Sequence, residues 1–131
     1  MTNTMTTHAT GTFDVKLNPL AAYDTAIGRL SIDKQFFGDL AATSKGEMLA
    51  IGTEVEGSAG YVAMERVSGA LHGRSGTFAL QHSGIANRSA QSLAVTVVPD
   101  SGTGALVGLA GAMKIIIEGG KHAYEFDYTL G

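Results

Sequence analysis

The chain has 131 residues, of which 44% are hydrophobic, with 9 Lys and Arg against 12 Asp and Glu, 18 glycines, 2 prolines and no cysteine. A chain of this length buries roughly two thirds of its unfolded surface as one domain, and the composition is neither disordered nor collagen-like. The formal charge of −3, with basic residues scattered singly, excludes a nucleic-acid footprint of clustered cations, and the lack of cysteine excludes disulfides, thiolate zinc sites and a cysteine nucleophile.

Residues 1–7 carry neither the basic nor the apolar region of a secretory signal. They are expected to form a flexible N-terminal arm ahead of a single domain at 8–131, and a cytoplasmic location is expected. His8–Leu17 alternates, with Phe13, Val15 and Leu17 on one face and Thr12, Asp14 and Lys16 on the other. Asn18-Pro19 ends it, and Ala21–Thr25 suits a turn or a short helical piece. Ile27–Phe37 resumes the alternation, with Leu30, Ile32 and Phe36 opposite Arg29, Asp33 and Gln35, and Gly38-Asp39 reads as a hairpin turn.

Leu40–Gly52 is alanine-rich and weaker as a strand, with Lys45-Gly46-Glu47 as a possible bulge. Tyr61–Val67 is the fourth strand, followed by an expected turn at Ser68-Gly69, and Leu71–Gly76 is turn-like. Thr77–Ser83 places Phe78, Leu80 and His82 on one face, and Gly84–Gln91 reads as a polar loop. Ser92–Val98 is β-branched and apolar on both faces, which suits a strand covered on both sides.

A glycine-punctuated crossover, Pro99–Gly111, leads to the strands Ala112–Glu118 and His122–Leu130. The last strand alternates His122, Tyr124, Phe126, Tyr128 and Leu130 with acidic or small residues. The longest apolar run, Ala105–Met113, is broken by Gly108 and Gly111 and falls short of the roughly 20 residues that span a membrane. Eight strands joined mostly by short turns predict an all-β, closed antiparallel eight-stranded barrel, because closure removes exposed edges. Such a barrel holds packed side chains or one small ligand.

The C-terminal order of strand, Ser101–Gly111 crossover, Met113-Lys114-Ile115 and aromatic strand Tyr124–Leu130 resembles the barrel of plant allene oxide cyclases. From about Ala9 to the end the chain more closely resembles a family of small bacterial proteins known only as a domain of unknown function. That likeness rests on Gly60–Glu65, Gly73–Phe78, Leu80-Gln81-His82 and Val98–Gly104. It implies an allene oxide cyclase-like barrel in a homo-oligomer. Allene oxide cyclases confine an unsaturated fatty-acid epoxide with help from an acidic residue and a water. The glutamate and asparagine on their first strand have their nearest analogue in Asp14-Val15-Lys16, which breaks the pair, so the cyclase activity is not transferred.

The candidate ligand-binding residues are Tyr61, Glu65, Arg74, His82, His122 and Tyr124. Tyr61, Glu65, Gln81, His82 and Tyr124 would meet in a cavity as acid, base and hydrogen-bond donors, or the tyrosines are core aromatics, Gln81 faces solvent and His82 is a satisfied core or rim histidine. Gln81 and His82 are adjacent and point to opposite faces of a regular strand. Arg74 would bind a carboxylate at the barrel mouth or stand as a solvated turn residue. His72, His82 and His122 with Glu65 have imidazole and carboxylate chemistry but no ligand spacing, so no metal site is assigned. Gly102-Thr103-Gly104 matches neither a dinucleotide fingerprint nor a P-loop, and no cofactor is expected. Asn87-Arg88-Ser89 is read as a chance match to a glycosylation acceptor.

Three functions fit: a barrel binding a small apolar or amphipathic molecule, an isomerase or cyclase acting by confinement, and an oligomeric interaction module with a filled core. In the last, the outer faces of Ala94, Thr96 and Val98 would pack on a sister subunit. Expected partners are a second copy of the chain and a small apolar ligand, with no nucleic acid and no membrane.

Overall fold

The computed structural model describes residues 5–88 and 90–131. Among these residues, eight strands follow in order: β1 (Thr7–Pro19), β2 (Gly28–Gly38), β3 (Leu40–Gly52), β4 (Ala59–Leu71), β5 (Arg74–Asn87), β6 (Ala90–Val97), β7 (Leu109–Glu118) and β8 (Lys121–Leu130). Each pairs antiparallel with its neighbour in sequence, and β8 returns to β1 to close the barrel. The closed, all-β architecture expected from the alternation is therefore present. Most of the expected N-terminal arm lies outside the described residues; Met5 and Thr6 precede β1, and Thr7 already belongs to it.

The connections explain the register. Leu71 pairs with Arg74 across a two-residue turn, His72-Gly73, with φ of 48° and 79°. Glu118 pairs with Lys121 across Gly119-Gly120, with φ of 56° and 77°. Two successive positive φ values mark the type I′ hairpin, whose twist matches that of the strands. A single 3-10 turn at Gly104–Leu106 occupies the crossover, and Leu106 is buried within the core cluster.

Three local expectations are corrected. Ser68-Gly69 is not a turn but lies inside β4, where a β-carbon on Gly69 would stand 2.3 Å from the Ala41 carbonyl oxygen; the glycine permits close strand approach. The polar segment after Ser83 is largely strand, since β5 runs to Asn87 and β6 begins at Ala90. The β6 strand is not covered on both sides: Val95 and Val97 are buried, whereas Ser92, Ala94 and Thr96 are exposed.

The core fills the half of the barrel at the β2–β3 and β4–β5 turns and the crossover. Phe36, Leu40, Leu71, Phe78, Leu80, Tyr124 and Phe126 are all buried there. Tyr124 fixes this floor through its hydroxyl, which accepts from the Leu40 amide at 2.9 Å and donates to the Phe37 carbonyl at 2.9 Å. The wall is least complete between β6 and β7, whose one registered pair is Thr96 with Ala112.

Candidate functional site, a buried polar band beneath the barrel mouth

Four adjacent strands contribute inward-facing polar residues at one level of the barrel. Lys34 on β2 stands directly opposite Ser44 on β3, and Ser44 stands opposite Val67 on β4. Glu65 lies two residues before Val67, and His82 on β5 pairs with Ala63, two residues before Glu65. Side chains related diagonally in this way share a face and are within reach when long. All four are buried, with Glu65 and Ser44 each 2% exposed.

Glu65 is the hub. Its Oε2 lies 2.8 Å from Lys34 Nζ and 3.1 Å from His82 Nε2. Lys34 Nζ also sits 4.9 Å from the Phe13 ring centroid and 5.7 Å from that of Phe36, where aromatic faces favour a cation. Burial pushes the Glu65 carboxyl up, but the His82 hydrogen bond and the charge of Lys34 outweigh it and hold the group below the usual carboxylate range. Glu65 owes its place to Gly46 opposite it, where a β-carbon would stand 2.8 Å from Glu65 Cβ. Among the described residues, Glu65 Oε1 and Ser44 Oγ are the buried side-chain atoms without a hydrogen-bond partner.

Above the band the barrel opens. A cleft of about 420 Å³ is walled by Met48, Ala50, Tyr61, Ala86, Leu93 and Ile117, where β3 leads to β4 and β5 leads to β6. This volume lies within the range of small-molecule sites. Tyr61 belongs to both layers. Its ring lines the cleft and stands 6.4 Å from that of His82, and it lies over Gly84, where a β-carbon would come 2.3 Å from Tyr61 Cε1. Burial raises the Tyr61 phenol, and the negative charge of Glu65 adds to the effect. Two other concavities, of about 440 and 340 Å³, lie on the outer face of the sheet around Leu49 and Val62, and the smaller shares Ala50 and Tyr61 with the mouth cleft.

Of the six candidate residues, the structure brings together Tyr61, Glu65 and His82. His122, half-buried near the start of β8, packs its ring 5.2 Å from that of Phe13, beside Lys34. Tyr124 belongs to the floor, its hydroxyl engaged by backbone. Arg74 opens β5 at the far end of the barrel and is exposed, so the mouth lies at the opposite end from the expected Arg74 position. Gln81 faces outward and His82 inward, as adjacent strand residues must. His72, at the Arg74 end, bonds the Tyr128 hydroxyl and lies 3.5 Å from Asp39. No three His, Asp or Glu side chains converge as metal ligands among the described residues.

Residues 9–128 match the sequence pattern of DUF3224, a family described as proteins of unknown function. The chain belongs to the DUF3224 family. A solved DUF3224 protein of unknown function from Shewanella oneidensis MR-1 is 51% identical, covers 97% of this chain and 99% of its own, and superposes with a TM-score of 0.93. A search of curated proteins finds no match. In this DUF3224 chain no helix is long and apolar enough to cross a membrane, among the described residues.

Sequence reasoning missed Lys34 and Ser44. The signal for Lys34 was present, since it falls on the same alternate face as Leu30, Ile32 and Phe36. A charged residue on the apolar face of a strand requires a buried partner. Ser44 likewise alternates with Leu40 and Ala42.

Proposed function

We propose that this DUF3224 protein binds a small amphipathic molecule end-on in the barrel, its apolar part in the mouth and its polar end toward Lys34, Ser44, Glu65 and His82. One observation carries the reading: an apolar-walled cleft is lined by Tyr61, whose ring stands 6.4 Å from that of His82 in a buried charged cluster that retains unpartnered hydrogen-bonding atoms. A buried ion pair contributes little net stability, and well-packed apolar residues of similar volume often replace it without loss. A charged band inside a small barrel therefore favours a recognition role over a structural one. Native mass spectrometry of the protein purified gently from its source tests this. A retained small molecule that is lost on denaturation supports the reading. An unliganded protein that also binds none of a panel of medium-chain amphiphiles contradicts it.

A second reading, an isomerase acting by confinement, is favoured by the 3.1 Å contact between Glu65 and His82, a pairing suited to moving a proton. Once a ligand is identified, its conversion to an isomer by the wild type and not by Glu65→Gln distinguishes the enzyme from the binding protein.

Self-association is supported by the outer face of β3–β5, where Leu49, Ile51, Val62, Met64 and Ile85 are exposed together. Ala94 and Thr96 are exposed on β6, whereas Val98 is half-buried. Light scattering at micromolar concentration reads the subunit number, and conversion to monomer by Met64→Lys would place the contact on the β3–β5 face.

A further inference from the structure

The two orphaned atoms of the band specify the chemistry of the ligand's polar end. Glu65 Oε1 and Ser44 Oγ are buried, lack protein partners and sit on neighbouring strands with both side chains facing inward. A carboxylate oxygen only accepts, whereas a serine hydroxyl both donates and accepts. Each unpaired atom is costly to leave buried. One group that donates to Glu65 Oε1 while accepting from Ser44 Oγ satisfies both.

Resting on the binding reading above, we propose that the ligand is an uncharged alcohol, whose hydroxyl donates to Glu65 Oε1 and accepts from Ser44 Oγ while its carbon chain fills the mouth. The competing head groups fit less well. A carboxylate has no proton to donate and meets the charge of Glu65 across a low-dielectric gap. An ammonium has protons for both atoms but brings a second cation beside Lys34, whose Nζ stands 2.8 Å from the same carboxylate. The Lys34–Glu65 pair is already charge-balanced, so a neutral head adds no uncompensated charge to the interior. Tyr61, which borders both mouth and band, is the side chain that must rotate to admit the head.

The test compares octan-1-ol, octanoate and octylamine by calorimetric titration of the full chain. The alcohol is expected to bind about 10-fold or more tightly than either ion. Ser44→Ala, a small change, is expected to weaken the alcohol about 5- to 10-fold and to leave octane binding unchanged. Lys34→Met/Glu65→Leu, which replaces the pair with apolar side chains, is expected to abolish the preference for alcohol over octane. Octanoate or octylamine binding as tightly as the alcohol overturns the head-group assignment while sustaining a binding barrel. Unchanged alcohol affinity in Ser44→Ala also overturns it, by assigning the two atoms to solvent. Failure of all four probes to bind overturns both the assignment and the binding reading.

Discussion

Lys34 Nζ and Glu65 Oε2 meet at 2.8 Å with both side chains almost wholly removed from solvent. They come from strands that are not neighbours, with β3 running between them. The contact therefore spans the inner wall and forms only once three strands are in register. Breaking it from one side leaves a buried charge without its counterion.

Lys34→Met is accordingly expected to cost about 3–5 kcal/mol, whereas Lys34→Met/Glu65→Leu is expected to cost less than the single change, because the paired removal leaves no orphaned charge. Urea denaturation midpoints of the three proteins check this. A double variant as unstable as the single one would show that the pair is needed for packing and not retained for recognition.

Acid sensitivity follows from the same carboxyl. Burial raises its pKa, but His82 and Lys34 lower it further, so its folded value lies below the ordinary 4.5. A depressed carboxylate contributes stability that is fully present above the unfolded value and is lost as pH falls through the folded one. The wild type should therefore lose stability progressively below about pH 4.5. The Lys34→Met/Glu65→Leu protein should show a shallower acid limb in denaturation from about pH 6 to about pH 3. Superimposable profiles would remove Glu65 as the cause.

The floor makes a different prediction. Tyr124→Phe removes the hydroxyl that accepts from the Leu40 amide and donates to the Phe37 carbonyl, leaving backbone groups unpaired in a buried setting. The expected loss is about 1–3 kcal/mol, read as a lower thermal midpoint. Ligand affinity should stay unchanged, because Tyr124 lies in the floor. A change in affinity at constant stability would move Tyr124 into the site.

The thinly paired edge between β6 and β7 is expected to open first. Thr96 with Ala112 is its one registered pair, and residues 90–94 are exposed. Amide hydrogen exchange should be fastest for β6 within the sheet and slowest for β3 and β4, which pair along their full lengths. Because Leu93 on β6 and Ile117 on β7 both line the mouth, a bound ligand should slow β6 exchange. Uniform protection across all strands would contradict a weak seam.

Much of this architecture was legible because period-two alternation survives wherever one sheet face is buried. Tyr124, Phe126 and Tyr128 read as an inward face and are buried. Leu40–Gly52 matched the strand boundaries despite its poor β-propensity, since closure and neighbour pairing override residue preference. Gly69 misled because a glycine that lets strands approach closely looks the same in sequence as one that turns the chain. His82 is legible as a polar residue on the apolar face of Phe78 and Leu80, whereas Tyr61–Val67 is apolar on both faces and leaves the direction of Glu65 open. Their union with Lys34 and Ser44 was not legible, because it depends on the stagger of four strands. Arg74 was placed at the mouth because sequence alone does not say which end of a barrel is open.

Methionine methyl NMR separates the barrel interior from its outside, because Met48 lines the mouth, Met64 lies on the exposed outer face and Met113 is buried in the core. Protein labelled at the methionine methyls is titrated with octan-1-ol and, separately, with octanoate. Binding within the barrel predicts that the Met48 resonance moves saturably with at least one of them while Met64 stays fixed. Movement of Met64 with Met48 unchanged would place the molecule on the outer face and contradict a ligand-binding interior.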